Sequence, residues 1–552
     1  MTDNHRLSGL SRRRVLLALG AAGLSGVAGC NSSSSDDPTS TETTAATETR
    51  IEATDTDTAA TATDSSTATD TATPGVALGL ESVTATPEPP RQFRPVEITA
   101  TVENTGAAVF EGTVRLSSPS AIDDDSEATA TASGEPTVSI APGEAVTRTT
   151  TFRWAGVGSK SVSITAESDG ERLLDAARSL SVERFPEHSI GVDGTDLTCD
   201  GEPIYFAGGA PTFTYDPNVV KRINIEVSFA TLAEIGCTFA RTWAYTPYWS
   251  ETPAVTEPYT YDEDFFTHFD HVVAAAKKRG IRLSAALFNG NPAYGPMGPD
   301  RYGTNVPQFV AWADDAEEYN DFFDSEECMA MYQDWVETVL THENHITGLE
   351  YRNDPTIAMW ELGNEIQRAK PAVGETIRPW IEEAGSFVKE IDDETLLTTG
   401  SYGHQGRNAY VDEASADPID VASIHYYPGP ANYDLSPTEA TSVLEETVQT
   451  THEEIEKPLY IGEYNWGLDA EPPQQIEERN RQLERLHDVL DEHDVSATML
   501  WHIVSWSRGD GQPKENTVFA GSDDETITEL QRYIDLTRSK SAAECLPSPP
   551  SS

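Results

Sequence analysis

From about residue 186 to residue 540, short apolar runs alternate with amphipathic stretches, and this alternation constrains the fold more than any other feature of the chain. TFARTWAY, IRLSAALFNG, PTIAMWELGNE, TLLTTGS, DVASIHYYP, KPLYIGEYNW and SATMLWHIVSW are apolar runs of strand length. Between them lie helical patterns: ATLAEIGC before the first run, then YDEDFFTHFDHVVAAAKKRG, SEECMAMYQDWVETVLTHENH, TIRPWIEEAGSFVKEID, ATSVLEETVQTTHEEIE and PPQQIEERNRQLERLHDVLDEHD. Near-continuous apolar strands need cover on both faces, and intervening helices supply it only when the strands are parallel. In YDEDFFTHFDHVVAAAKKRG, Gly280 reads as a stop, with Lys277 and Lys278 as cations at the helix end. The repeat over roughly 350 residues predicts an α/β fold, a (β/α)8 TIM barrel. A doubly wound sheet is the alternative, but no glycine-rich phosphate loop follows the first strand.

Upstream the pattern changes. Residues 75–184 hold about seven short alternating stretches, such as VEITATVENTG and KSVSITAESDG, separated by Gly, Pro and Asn turns. That spacing predicts a small all-β, immunoglobulin-like sandwich ahead of the barrel. Its aromatics are few (Phe93, Phe110, Phe152, Trp154), which fits a spacer better than a sugar-stacking module. Residues 31–74 are almost entirely Ser, Thr, Asp, Ala and Glu, with no apolar period, and read as a disordered tether. Residues 1–30 place Arg12, Arg13 and Arg14 before a short apolar stretch. That order resembles a twin-arginine export signal, and VAGC resembles a lipobox with Cys30 as the lipid attachment site. The expected location is extracellular, with a lipid anchor as the membrane contact. Residues 541–552 read as a polar tail in which Cys545 is a possible tether point. Cys199, Cys237, Cys328 and Cys545 allow three full pairings, and none has metal-ligand spacing.

Composition narrows the function. The 552 residues carry 92 Asp plus Glu against 37 Lys plus Arg, a net charge of −55. Phosphate backbones and anionic lipid surfaces demand clustered cations, so nucleic acid is excluded as a partner and so is electrostatic docking to a membrane. With 10 Trp, 17 Phe and 19 Tyr the chain is too aromatic to be wholly disordered. An acidic, Lys-poor surface suits molar salt, where the Debye length is about 3 Å and self-repulsion is screened.

In such barrels the chemistry sits at the C-terminal ends of the strands. Those ends carry, in order, Arg241 and Trp243, then Asn289, Gly290 and Asn291, then Asn364 and Glu365, then His425, Tyr426 and Tyr427, then Glu463, then Trp501 and His502. A strand-end Glu alone is ordinarily a solvated surface group. Two carboxylates on different strands, flanked by Asn, His, Tyr, Arg and Trp, are what acetal hydrolysis between sugars requires. Glu361 reads as structural, and His404 and His502 as satisfied polar groups. Trp249, Tyr245, Tyr294, Trp466 and Trp506 are further candidates for lining a cleft.

The ordered motifs NPAYG, QFVAWA, PTIAMWELGNE, IDVASIHYYP and KPLYIGEYNW resemble glycoside hydrolase family 5, most of all its endo-β-1,4-mannanases, over residues 187–535. The resemblance implies a retaining hydrolase without cofactor or metal, acting as a monomer on β-mannan, with cellulose or another β-glucan as the alternative. It maps the general acid/base to Glu365 and the nucleophile to Glu463. Asn364 maps to the group bonding the sugar 2-hydroxyl. Arg241, His425 and Tyr427 map to the groups around the carboxylates, and Trp501 to the platform under the reacting sugar. Two positions depart from the family pattern: Ile366, where Pro is frequent, and Gly462, where an acidic residue is frequent. A reading from another class, a non-catalytic carbohydrate-binding lipoprotein, would be marked by loss of one carboxylate, and both are present.

Overall fold

The computed structural model describes residues 75–122, 137–211, 214, 222–247, 250, 252–291, 303–369, 375–403, 406–468, 473–505, 516–520 and 525–547. The expected export signal with Cys30, the tether 31–74, Trp249, Tyr294, His404, Trp506 and residues 548–552 lie outside them.

The N-terminal region is all strand: β1 (Leu78–Thr86), β2 (Val96–Asn104), β3 (Phe110–Ser117), β4 (Val138–Ile140), β5 (Ala145–Phe152), β6 (Gly158–Ser168) and β7 (Glu171–Val182). They pair in two antiparallel sheets, ordered β1-β2-β5 and β4-β3-β6-β7. Alternation does the work here. Along β2, Val96, Ile98, Ala100 and Val102 point inward, and they meet Val162, Ile164 and Ala166 of β6 around buried Trp154. A small antiparallel sheet follows, of β8 (Gly191–Asp193), β9 (Asp196–Cys199) and β10 (Glu202–Pro203).

The chain then runs β11 (Phe206–Pro211), α1 (Arg222–Ile235), β12 (Phe239–Trp243), the hairpin β13 (Val255–Glu257) and β14 (Thr260–Tyr261), α2 (Glu263–Arg279) and β15 (Arg282–Ala286). Next come α3 (Val306–Trp312), α4 (Glu326–Thr341), β16 (Ile357–Glu361), α5 (Arg378–Ile391), β17 (Leu396–Thr398), α6 (Arg407–Ala414) and β18 (Ala422–Tyr426). The last elements are α7 (Pro437–Thr450), β19 (Leu459–Tyr464), α8 (Pro473–Glu492), β20 (Ala497–Val504), β21 (Val518–Phe519) and α9 (Glu525–Lys540). The parallel order β17-β16-β15-β12-β11-β20-β19-β18 is closed by a parallel bridge between Thr398 and Val421, giving an eight-stranded barrel. Every residue of β12, β15, β16, β18 and β19 is buried, as strands covered on both faces must be.

The N-terminal end of the barrel is sealed by the β8–β10 sheet, whose Leu197 and Cys199 pack with Phe206, Phe239, Met359 and Met499. A disulfide from Cys199 to Cys545 fastens the end of the chain there, so residues 541–547, expected as polar tail, are folded against the barrel. Cys237 and Cys328 are free and buried.

The two-sheet domain docks at this same end. Gln92 is fully buried and donates to the carbonyls of Ala155 (2.7 Å) and Thr347 (3.0 Å), while Val157 N donates to Thr347 O at 3.1 Å. Lys277 lies in the last turn of α2, as expected. It is buried, pairs with Asp354 at 2.8 Å and donates to Gln92 Oε1 at 3.2 Å. A cation so placed keeps its charge only through those partners. Gln92 thus carries a polar side chain from the two-sheet domain into the buried contact with the barrel.

Candidate active site

At the opposite, C-terminal end of the strands, three side chains converge on one buried guanidinium. Arg241, last but two in β12, grips Glu361 with two nitrogens, Nε to Oε1 at 2.8 Å and Nη2 to Oε2 at 2.7 Å. Its Nη1 donates to Glu463 Oε1 at 2.7 Å and Nη2 also donates to Asn364 Oδ1 at 2.9 Å. Arg241 and Glu361 are essentially unexposed. Glu361 is completed by Ser284 Oγ at 2.6 Å and the Tyr460 hydroxyl at 3.2 Å, from the strands on either side of the barrel interior. Burial alone would raise the Glu361 carboxyl; Arg241's charge and these hydrogen bonds hold it below the ordinary value instead. Glu361, expected to be structural, is the anchor that aims Arg241.

Glu463, on β19, takes Arg241 on one oxygen and the Tyr427 hydroxyl on the other. Burial raises its pKa, and Arg241 and Tyr427 oppose that rise. Glu365 stands differently. It receives a hydrogen bond from Asn291 Nδ2 on Oε2 and lies 2.9 Å from His425 Nδ1 through Oε1, with no Lys or Arg in contact among the described residues. Burial pushes it up to about 7. The two carboxylates are thus driven apart in acidity: the one touching Arg241 ionises first. His425 Nδ1 is also 3.6 Å from Glu463 Oε2. Burial lowers His425 to about 4, so it is a neutral imidazole at neutral pH. One donor atom each of Glu365, His425 and Glu463 lies within 4.8 Å of the others. By type these three atoms could take a cation, but Arg241 already supplies the positive charge at Glu463.

The backbone around Glu365 is specialised. Glu365 has φ of +52°, a conformation that costs a non-glycine residue of order 1–3 kcal/mol and is held by Glu365 N donating to Gly400 O at 2.8 Å. A side chain on Gly290 would put its Cβ 2.4 Å from Ile366 Cα, so that glycine is required by close approach. Ile366, the first departure from the family pattern, is fully buried against it. At Gly462, the second departure, a Cβ would lie 3.1 Å from His425 Nε2; glycine leaves the imidazole its room.

The aromatic candidates divide. Trp501 is half-buried and stacks on Trp243 at 5.8 Å, which stacks in turn on Tyr245 at 5.1 Å. Trp243, expected to bind substrate or to support the groups that do, is only 3% exposed and props Trp501 from behind. Tyr245 and Trp466 are buried as well, and His502 is occupied by Thr517 at 3.0 Å. Of the expected site residues, the structure brings Arg241, Asn364, Glu365, His425, Tyr427 and Glu463 into one hydrogen-bonded cluster. Sequence reading missed the roles of Asn291, Ser284 and Tyr460. A Ser and a Tyr inside otherwise apolar strands were the available signal.

Residues 188–479 match the family described as GH family 5 beta-mannosidase-like. The chain belongs to glycoside hydrolase family 5. It is 30% identical over 314 residues to the mannan endo-1,4-beta-mannosidase 5 of Arabidopsis thaliana, an alignment covering 51% of this chain and 70% of that protein. It is 31% identical over 309 residues to mannan endo-1,4-beta-mannosidase 2 of Oryza sativa subsp. japonica, covering 50% and 67%. In structure it is similar to the endo-1,4-beta-mannanase of Rhizomucor miehei, with a TM-score of 0.53 and 20% identity over 64% of this chain and 99% of that one, a likeness of fold. This family 5 member is a glycoside hydrolase, and its cluster of buried carboxylates lies where a barrel hydrolase does its chemistry.

Proposed function

We propose that the chain is a retaining endo-β-1,4-mannanase working outside the cell. One observation carries the mechanism: two buried carboxylates with an oxygen of one within 4.8 Å of an oxygen of the other, one group held by Arg241 and the other raised to about 7. A separation of that order fits double displacement, in which the carboxyl groups stand about 5–5.5 Å apart, rather than the wider inverting geometry that leaves room for water. In this reading Glu463 attacks the anomeric carbon while Glu365 gives its proton to the departing glycosidic oxygen. The C–O bond breaks and a glycosyl ester forms on Glu463. With that charge consumed, Glu365, now ionised, takes a proton from water, and the resulting hydroxide displaces Glu463. Asn364, held by Arg241 and by Asn289 Oδ1 at 3.2 Å, is oriented to bond the sugar 2-hydroxyl. Trp501 offers the open ring face for the reacting sugar.

The mannan preference is supported by the names of the relatives. Export is supported by the twin-arginine and lipobox pattern ending at Cys30 and by the Cys199–Cys545 disulfide, which suits an oxidising compartment. Residues 75–184 fit an immunoglobulin-like sandwich in strand number and in their two-sheet pairing. The net charge of −55 supports work in molar salt. No helix among the described residues is long and apolar enough to cross a membrane, and the anchor in this reading is lipid on Cys30. The test is purified protein in multimolar KCl with galactomannan, glucomannan and carboxymethylcellulose. Reducing sugar should appear fastest from the mannans. Release only from the cellulose derivative would shift the substrate to β-glucan, and none from any would refute the polysaccharidase reading.

A further inference from the structure

Beyond His425, which touches Glu365, stand two loops that take no part in the steps described above. Tyr402 lies in the loop after β17 and Tyr433 in the loop after β18, and the Tyr433 hydroxyl donates to the Tyr402 hydroxyl at 2.5 Å. Both side chains are half-buried, with part of each open to solvent. Tyr402 stands edge-on to the His425 ring, 6.3 Å between centroids, and His425 in turn touches Glu365. Burial raises both phenols, and the Glu365 charge adds to each, so both hydroxyls stay protonated and sense that carboxylate.

Backbone hydrogen bonds among the described residues hold both tyrosines' surroundings. Tyr402 O accepts from His425 N at 3.5 Å, linking the first loop to β18. In the second loop Asn432 N and Asp434 N both donate to Gly429 O, at 3.1 and 3.0 Å, and Leu435 N donates to Pro428 O at 3.0 Å. Ala431 N reaches Gly467 O at 3.4 Å, tying this loop to the one after β19. A side chain on Gly429 would come within 2.7 Å of Gly467 N, so the two loops touch backbone to backbone. A pair of phenol hydroxyls on a braced wall is pre-organised to meet a polyhydroxylated ring without paying to order itself.

We propose that Tyr402 and Tyr433 form the binding site for the sugar unit that leaves, the ring whose oxygen Glu365 protonates. This rests on the assignment of Glu365 as acid/base. The polymer then crosses the barrel mouth from the Trp501 platform to the tyrosine pair, and cleavage falls between them. The two hydroxyls act as donor and acceptor toward ring hydroxyls of a hexose leaving group, and a leaving group without hydroxyls gains nothing from them.

The experiment compares two substrates on the wild type, Tyr402→Phe, Tyr433→Phe and the double variant. Mannopentaose departs as a sugar, whereas 4-nitrophenyl β-mannotrioside departs as a phenol. The ratio of kcat/KM for mannopentaose to that for the aryl trioside should fall about tenfold in the double variant, by analogy with loss of one to two hydrogen bonds. Phe keeps the ring, so a purely packing role would lower both substrates together and leave the ratio unchanged, which overturns the inference. A wild type that turns over neither mannoside would refute the mannanase reading itself, and the tyrosine site with it.

Discussion

Substitution of Glu365 by Gln tests the electrostatics of the site through stability alone. In the folded protein burial holds Glu365 at about 7, against an ordinary value of 4.5. The folded state therefore keeps its proton where the unfolded chain has lost it. Stability linked to this group is fully present below about pH 4.5 and is lost as pH rises toward 7. At 1.36 kcal/mol per pH unit the loss amounts to about 3 kcal/mol. For a cooperative unit of roughly 350 residues, with an unfolding entropy of about 2.1 cal/mol/K per residue, that corresponds to about 4 °C in Tm. Gln has the same shape and never titrates, so the variant escapes this penalty. Differential scanning calorimetry at fixed high salt should show the Tm of Glu365→Gln rising relative to wild type between pH 4 and pH 8, and levelling off above 7. A Tm difference independent of pH would refute the burial argument, and with it the reason Glu365 can serve as an acid near neutrality. The kcat/KM of the wild type should fall as pH rises through about 7, where Glu365 deprotonates in the folded protein.

Glu361→Gln removes one charge from a bidentate grip on Arg241 without touching substrate; kcat should fall by about a hundredfold with KM little changed, and a wild-type kcat would show that Arg241 needs no anchor. Asp354→Ala leaves Lys277 buried and unpaired, at a cost of about 3–5 kcal/mol read from chemical denaturation, and deletion of residues 75–184 should also lower the barrel's Tm rather than leave it unchanged. Cys545→Ser opens a cross-link spanning 346 positions and should cost about 3–5 kcal/mol, seen as a lower midpoint in guanidinium. Dilution from molar salt should unfold or inactivate the protein as the −55 net charge loses its screening; full activity at low ionic strength would contradict the salt-adapted reading.

Most of the barrel and much of its site were legible because one rule connects them: strand ends converge at one mouth. Arg241, Asn364, Glu365, His425, Tyr427 and Glu463 could be placed together from strand order alone. The first barrel strand, FAGGAP, escaped recognition because it lacks branched side chains, and the structure shows why. A Cβ on Gly208 would lie 1.8 Å from the Phe239 carbonyl oxygen, so close strand packing excludes the residues that advertise a strand. Lys277 sits at its helix end as the pattern says, but its burial has no local signature, because a buried cation there has the same local sequence as a solvated one and its partners Asp354 and Gln92 are remote in the chain. Trp243 could be read as a sugar contact or as its support, because spacing does not say which of two stacked rings faces out. Tyr402 and Tyr433 lie in loops with no periodicity to read.

The central claim is that Glu463 and Glu365 cleave a β-mannoside by two displacements. It is tested most directly by proton NMR of the anomeric signals in the first minutes of mannopentaose hydrolysis, before mutarotation. Fresh reducing ends in the β configuration are the predicted result. Fresh ends in the α configuration would contradict the account, since a single displacement by water cannot pass through an ester on Glu463.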